Sequence, residues 1–363
     1  MSDSLRAPVW ILRLLIAFAA LIAVLVSAAR AQEKPATCAA HVFPVLGALK
    51  KLPETAHGQG LVLMGGGSTV EAAFHWMHDT LVGDPAKRGG NLLIVSAGNT
   101  DQSPSYVSLA PFASVRTIGI EPCVPLPEVN ALAPLLASAD MVYFEGGDQA
   151  NYARWQGGDF IHAIQAVYDR GGIVGGTSAG LAVLGGIVYD SVAADKVLPE
   201  DQLVQSADAT HNPFESAISF TTGFLKFPYL ADTITDTHFA KRDRFGRLAA
   251  FMARAEGDNL VTGPHVYGVA VDERSALVVD AHGSATLLSD PYTTGYRTRG
   301  AYILTGGTPQ RLTAGEPLLY TVDVVHLIGS GTHYDLAKHV SDIVPYQITV
   351  DGSGADIYSR QPY

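Results

Sequence analysis

From residue 60 onward the apolar positions fall in short, unbroken runs separated by polar and glycine-rich stretches. Leu61-Val62-Leu63-Met64 is closed by Gly65-Gly66-Gly67, and residues 69–82 follow with helical periodicity. Asn91–Ser96, Val115–Ile120, Met141–Phe144 and Ile173-Val174 form further runs, and Phe160–Tyr168 has the spacing of a helix. Strands that are apolar at every position, rather than at alternate ones, are buried on both faces, as in a parallel sheet covered by helices. The pattern therefore predicts a doubly wound, mostly parallel α/β sheet. Such sheets carry their sites at the carboxyl ends of the strands, where the glycine-rich turns of this chain fall.

The last third changes character. Tyr267–Val271, Ala276–Asp280, Ala285–Leu288, Ala301–Leu304 and the stretch around Val324-Val325-His326-Leu327 predict short strands joined by tight turns. They are expected as an antiparallel extension of the same sheet. Residues 190–235 show little periodicity and are expected as long loops beside the site.

The N-terminus follows other rules. Arg6 and Arg13 precede an uncharged aliphatic run, Leu14–Ala29, and Ala29-Arg30-Ala31 fits a small-x-small cleavage site. Residues 1–31 thus predict a signal peptide, with an uncleaved anchor as the alternative. A secreted or periplasmic protein, without stable membrane association after cleavage, is the expectation. In that compartment Cys38 and Cys123 can pair or remain two separate thiols.

Composition narrows the field. The chain has 363 residues, 47% of them hydrophobic and 16% charged, which excludes a disordered chain, a coiled coil and a disulfide scaffold. The formal charge of −11 argues against a nucleic-acid partner, which normally meets a basic face.

Gly171-Gly172-Ile173-Val174-Gly175-Gly176-Thr177-Ser178-Ala179-Gly180 is the most informative segment. A strand runs through Gly-x-Ser-x-Gly into Leu181-Ala182-Val183-Leu184, the context of a nucleophile elbow. The neighbours must be tiny for strand and helix to approach, and the turn aims helix N–H groups at the hydroxyl. The amide of Ala179 is then a natural oxyanion donor. A glycine-rich anion-binding turn is the plainer alternative. A serine nucleophile needs a base. His75 and His78 form H-x-x-H on a predicted helix, but no third ligand stands at metal spacing, and no metal or other cofactor is expected. His238 stands in Asp236-Thr237-His238-Phe239-Ala240-Lys241-Arg242-Asp243-Arg244-Phe245-Gly246-Arg247. Arg242, Arg244 and Arg247 do not share one helical face, so their spacing suits a loop around a ligand carboxylate better than a helix surface.

Gly-Gly-Thr-Ser-Ala-Gly, the upstream Phe144-Glu145-Gly146-Gly147-Asp148-Gln149, and Asp-x-His-Phe-x-x-Arg-x-Arg-x-Gly-Arg-Leu occur here in the order in which they occur in cyanophycinases. Gly268–Leu277, with its Asp272-Glu273 turn, and the segment from Val325-His326-Leu327 to Tyr334-Asp335-Leu336 also resemble that family. These are serine exopeptidases of the S51 peptidases, on a class I glutamine amidotransferase-like (flavodoxin-like) fold. The resemblance spans residues 58–340, leaving an N-terminal arm, 32–57, and a C-terminal tail, 341–363.

The resemblance implies a triad of Ser178, His238 and Glu273, with Gly147 joining Ala179 in the oxyanion hole. It implies a substrate pocket lined by Gln149, Asp236, Thr237, Arg242, Arg244 and Arg247. The implied substrate is cyanophycin or another β-aspartyl peptide. The arginines would meet its carboxylates, and Asp236 its guanidinium. Thr237 stands where the family commonly has Gln, and the stretch between Ser178 and His238 is longer, so both the reach and the rim of the pocket differ. Physics alone leaves Asp272 and Glu273 both open as the triad acid. The alternatives are an aspartyl dipeptidase acting on small peptides and a non-catalytic binding protein, which would lack a triad member. The Gly65-Gly66-Gly67-Ser68 turn fits no nucleotide fingerprint and is expected to shape the site mouth. The sequence is compatible with a homodimer.

Overall fold

Each apolar run of the N-terminal half forms the expected strand in a computed structural model of the chain. It describes residues 38–52, 58–199, 202–290 and 300–363. The signal segment 1–31 and arm residues 32–37 and 53–57 lie outside the described residues. Strands β3 (Gly60–Met64), β4 (Gly89–Ser96), β5 (Phe112–Ile120), β6 (Met141–Phe144) and β7 (Ile173–Thr177) pair in parallel, in the order β5-β4-β6-β7-β3. Two short strands of the arm, β1 (Ala40–Val42) and β2 (Leu46–Gly47), add antiparallel to β5.

Burial on both faces explains the unbroken apolar runs. Alternate side chains point to opposite faces. Val62, Leu92, Ile94 and Tyr143 pack with Ala73, Phe74, Met77 and Leu81 of helix α1 (Glu71–Val82). Phe144 faces the other way. Edge-to-face contacts run from it through Tyr152 and Trp155 to Phe160, linking helices α2 (Gln149–Ala153) and α3 (Asp159–Asp169) to that side.

The antiparallel extension is present, but it is divided between two sheets, which corrects the single-sheet expectation. β12 (Ser275–Val279), β13 (Ser284–Ser289) and β16 (His333–Asp335) extend the first sheet beyond β3. The others build a second sheet. It contains β8 (Ile187–Tyr189), β9 (Phe220–Thr222), β10 (Thr233–Asp236), β11 (Val266–Val271), β14 (Gly300–Gly306), β15 (Leu319–Ile328) and β17 (Tyr346–Asp351). Its order is β17-β15-β14-β11-β10-β8-β9, with β10 and β11 parallel. A polypeptide alternating between sheets along the chain looks in sequence like one that stays in a single sheet. Only pairing distinguishes the two.

Two other expectations change. Residues 190–235 hold helix α5 (Ser206–His211) and the short strands β9 and β10, not loops throughout. The tail 341–363 is integral: β17 pairs with β15 over six residues. Helix α4 (Ala179–Ala182) follows β7 directly. Helix α6 (Phe245–Gly257) packs its buried Leu248, Phe251 and Met252 into the core of the second sheet.

Among the described residues no helix is long and apolar enough to cross a membrane. Neither cysteine is a free thiol: Cys38 and Cys123 are both disulfide-bonded.

Candidate active site

Ser178 stands between β7 and α4 at φ 52° and ψ −121°, a conformation costing on the order of 1–3 kcal/mol for a residue with a side chain. The surrounding glycines make the turn possible. A β-carbon on Gly176 would lie 2.4 Å from the Gly180 carbonyl carbon, and one on Gly180 would lie 2.2 Å from the Phe144 oxygen. The serine's own N–H donates to the Met64 carbonyl at the end of β3 (3.2 Å).

The Ser178 hydroxyl meets His238 Nε2 at 2.8 Å, and His238 Nδ1 meets Glu273 Oε1 at 2.7 Å. A carboxylate can only accept, so Nδ1 carries the proton and Nε2 is left to accept from the hydroxyl. His238 is also left-handed, at φ 47°, and its N–H donates to the Gly65 carbonyl (2.8 Å). The Arg274 N–H donates to the Gly66 carbonyl (2.9 Å), fixing the Glu273 turn to the same glycines. The triple glycine is therefore the bed of the imidazole and of Glu273. A β-carbon on Gly66 would fall 2.5 Å from the ring, and one on Gly67 would fall 3.2 Å from Glu273 Cβ.

These three residues come from both sheets. Ser178 follows β7 of the first and His238 follows β10 of the second. Glu273 occupies the turn by which the chain leaves β11 for β12. Asp272 is buried, and its Oδ1 accepts from the Ala240 N–H (2.8 Å). Of the two adjacent carboxylates, Glu273 is the one on His238.

Burial, more than anything else, lowers the His238 pKa. Arg242 and Arg244 reinforce this, against the pull of Glu273. The imidazole is thereby held neutral and able to accept a proton. Burial likewise pushes Asp272 up to about 7, opposed by the Ala240 N–H and assisted by Glu273.

Gly147 is at φ 135° with open space where a β-carbon would sit, beyond the end of β6. The Ala179 N–H belongs to the first turn of α4, where no intrahelical acceptor exists. Gly146 lies against the serine, since a β-carbon there would meet Ser178 Cβ at 3.4 Å. Asp148 caps α2 by accepting from the Ala150 N–H (3.0 Å), and Gln149 opens that helix, buried.

The residues expected to line a substrate pocket divide. Asp236 and Arg247 are buried and bonded to one another, Nε to Oδ2 at 2.8 Å and Nη2 to Oδ1 at 2.6 Å. Arg244 is buried beside them, donating to the Thr237 carbonyl (3.0 Å) and hydroxyl (2.9 Å). This differs from the expectation that Asp236 faces a substrate guanidinium and that Arg244 and Arg247 face its carboxylates, and Thr237, expected in the same pocket, is bonded to Arg244. Their polar groups are spent on each other. Burial would raise Asp236, but Arg247 and Arg244 outweigh it and hold its pKa below the ordinary range. Burial, with Arg247 alongside, pulls Arg244 down to about 9. Arg242 remains exposed on the turn after His238.

The H-x-x-H pair is not a ligand pair here. His78 is buried with Nδ1 on Asp79 (2.8 Å) and Nε2 on the Lys87 carbonyl (2.9 Å), while His75 leans on Glu71. Sequence reasoning missed the Asp236–Arg247 pair and the support of the His238 loop by Asp243, Tyr358 and Tyr363, described below. Nothing local marks these partners, which lie up to 120 residues apart.

No protein-family model matches the chain. It is 26% identical over 221 residues to the cyanophycinase of Synechococcus elongatus, and equally to that of Thermosynechococcus vestitus (strain NIES-2133 / IAM M-273 / BP-1). The match covers 58% of this chain, which spans 58% of the length of those relatives. Among solved structures, a peptidase from an acI-B1 Actinobacterium aligns with a TM-score of 0.43 and 17% identity, over 75% of this chain and 98% of its own. A putative peptidase E protein from Listeria monocytogenes EGD-e aligns with a TM-score of 0.37 and 12% identity, over 65% and 100%. The curated proteins that match over this part of the chain are thus cyanophycinases, the family that the ordered motifs resemble.

Proposed function

We propose that the chain is a serine peptidase that cleaves β-aspartyl peptides, with cyanophycin as its substrate. The observation that carries this reading is the unbroken line from Glu273 through His238 to the Ser178 hydroxyl, at 2.7 and 2.8 Å. In the proposed reaction Ser178 Oγ attacks the scissile carbonyl while His238 Nε2 takes its proton. Glu273 stabilises the imidazolium and holds the tautomer. The N–H groups of Gly147 and Ala179 stabilise the tetrahedral oxyanion. His238 then protonates the leaving amine, and water resolves the acyl-enzyme by the same steps.

Arg242 is the guanidinium left to meet a carboxylate of the poly-aspartate chain, and Gln149 is the polar side chain beside the proposed oxyanion hole. The mutual neutralisation of Asp236 and Arg247 favours a second reading. A pocket with fewer free charges suits an aspartyl dipeptidase acting on small soluble peptides. We place the protein outside the cytoplasm. The leader pattern of residues 1–31 and the absence of free thiols both favour an oxidising compartment.

The test is product analysis by mass spectrometry after incubation with insoluble cyanophycin. Release of β-Asp-Arg is expected. Cleavage of soluble aspartyl dipeptides with intact cyanophycin would select the second reading, and no cleavage of either would overturn both.

A further inference from the structure

The loop that carries His238 is fastened from the far end of the chain. Asp243, left-handed at φ 45°, lies between His238 and α6, and its Oδ1 accepts two phenol hydroxyls, from Tyr358 and Tyr363, each at 2.8 Å. Each phenol oxygen in turn accepts a first-turn N–H of α6: Phe245 to Tyr363 at 2.9 Å and Gly246 to Tyr358 at 3.1 Å. Ser206 takes the third, from Arg247 (3.1 Å), and donates to the Asp243 carbonyl. The start of the helix is thus capped by side chains remote in sequence, where a local Ser, Thr, Asp or Asn would ordinarily serve. Gly246 permits the closure, since a β-carbon there would meet Ser206 Cβ at 2.9 Å and Ile357 Cδ1 at 3.1 Å.

The same clamp reaches toward the imidazole. Between His238 and Asp243 the chain is a compact turn, closed by Arg242 N–H to the His238 carbonyl (2.9 Å) and Arg244 N–H to the Phe239 carbonyl (2.9 Å). The Phe239 ring, next to the histidine, packs edge-on against Tyr363 at 5.8 Å. A turn this short transmits movement of Asp243 to His238. The 2.8 Å contact with Ser178 has little tolerance for it.

We propose that Tyr358 and Tyr363 are positioning residues that, through Asp243, hold His238 in register with Ser178. This rests on the reading of Ser178 as nucleophile. The test is the rate at which a fluorophosphonate labels Ser178 in the full chain, with the labelled residue located by mass spectrometry. Tyr358→Phe/Tyr363→Phe removes the two hydroxyls and keeps both rings. It is expected to slow labelling roughly tenfold or more, and to lower kcat on a cleaved peptide with little change in KM. Ser353→Ala is the control. It loses the Ser353 hydroxyl bond to Asp351 Oδ1 (2.6 Å), in the same tail but five residues before Tyr358. Labelling at the wild-type rate in the double variant would overturn the proposal, as would equal slowing by Ser353→Ala. Should the double variant not fold, the two single variants carry the same comparison. Failure of the wild-type protein to label at Ser178 would instead overturn the underlying reading of the nucleophile.

Discussion

The His238 ring lies directly over Gly66, with Cε1 and Nε2 both 2.5 Å from where a β-carbon would be. A side chain at this position cannot coexist with the observed imidazole. Gly66 is also at φ 101°, where any other residue is strained. Gly66→Ala is therefore expected to displace the imidazole and to lower kcat by about 10²-fold or more. Gly147→Ala, whose β-carbon meets nothing within 4 Å, is expected to cost mainly backbone strain. Peptide turnover and circular dichroism of both variants check the contrast.

Ser178→Ala removes the proposed nucleophile and leaves its neighbours in place. Hydrolysis is expected to fall on the order of a million-fold. Thermal stability should hold or rise slightly. Retention of more than a few per cent of activity in a kinetic assay would place the nucleophile elsewhere.

The paired carboxylates of the β11–β12 turn should behave differently. Glu273→Gln keeps the size of the side chain but loses the charge that stabilises the imidazolium, and turnover is expected to fall roughly 10⁴-fold, as in the comparable Asp case. Asp272→Asn keeps an acceptor for the Ala240 N–H and is expected to spare most of the turnover. A crippled Asp272→Asn beside an active Glu273→Gln would reverse the assignment.

Proton binding at His238 should shape the pH profile. Activity needs the neutral imidazole, and burial lowers its pKa below the ordinary value of about 6.5. The acid limb of kcat/KM is thus expected below pH ~6.5. Stability follows the same sign. Below pH ~6.5 the unfolded chain protonates histidines that the folded chain keeps neutral, including His326, pushed down to about 4 by burial. The histidine contribution to stability should therefore decline as pH falls from about 6.5 towards 4, while Asp272, whose pKa is raised to about 7, contributes in the opposite direction over that range; denaturant melts of the wild type and of Asp272→Asn across it separate the two.

The buried pair of Asp236 and Arg247 should be costly to break. Arg247→Met leaves a buried carboxylate without its two-pronged partner and is expected to lower stability by about 3–5 kcal/mol. Replacing both, as in Asp236→Leu/Arg247→Met, should recover part of the loss. A double-mutant cycle in chemical denaturation measures the coupling.

What the sequence disclosed follows from the range over which its signals act. Val62 to Met64 and Leu92 to Val95 announce a doubly buried strand by themselves, because burial on two faces is written residue by residue. Ser178 announces its elbow because the steric demand falls on Gly176 and Gly180, two positions away on either side. Two of the three arginines mislead for the complementary reason. Arg244 and Arg247 read as ligands for a carboxylate, which they are, but the carboxylate on Arg247 belongs to Asp236, eleven residues away. The division of the C-terminal strands into two sheets, and the tyrosines that reach Asp243, depend on contacts that leave no local trace.

Ser178 follows a strand of one sheet, His238 a strand of the other, and Glu273 stands on the crossing between them, so the proposed proton path runs across a seam. The His238 N–H on the Gly65 carbonyl and the Arg274 N–H on the Gly66 carbonyl stitch that seam beside the imidazole. The line from Ser178 to Glu273 therefore depends on how the two sheets meet and not on either core alone.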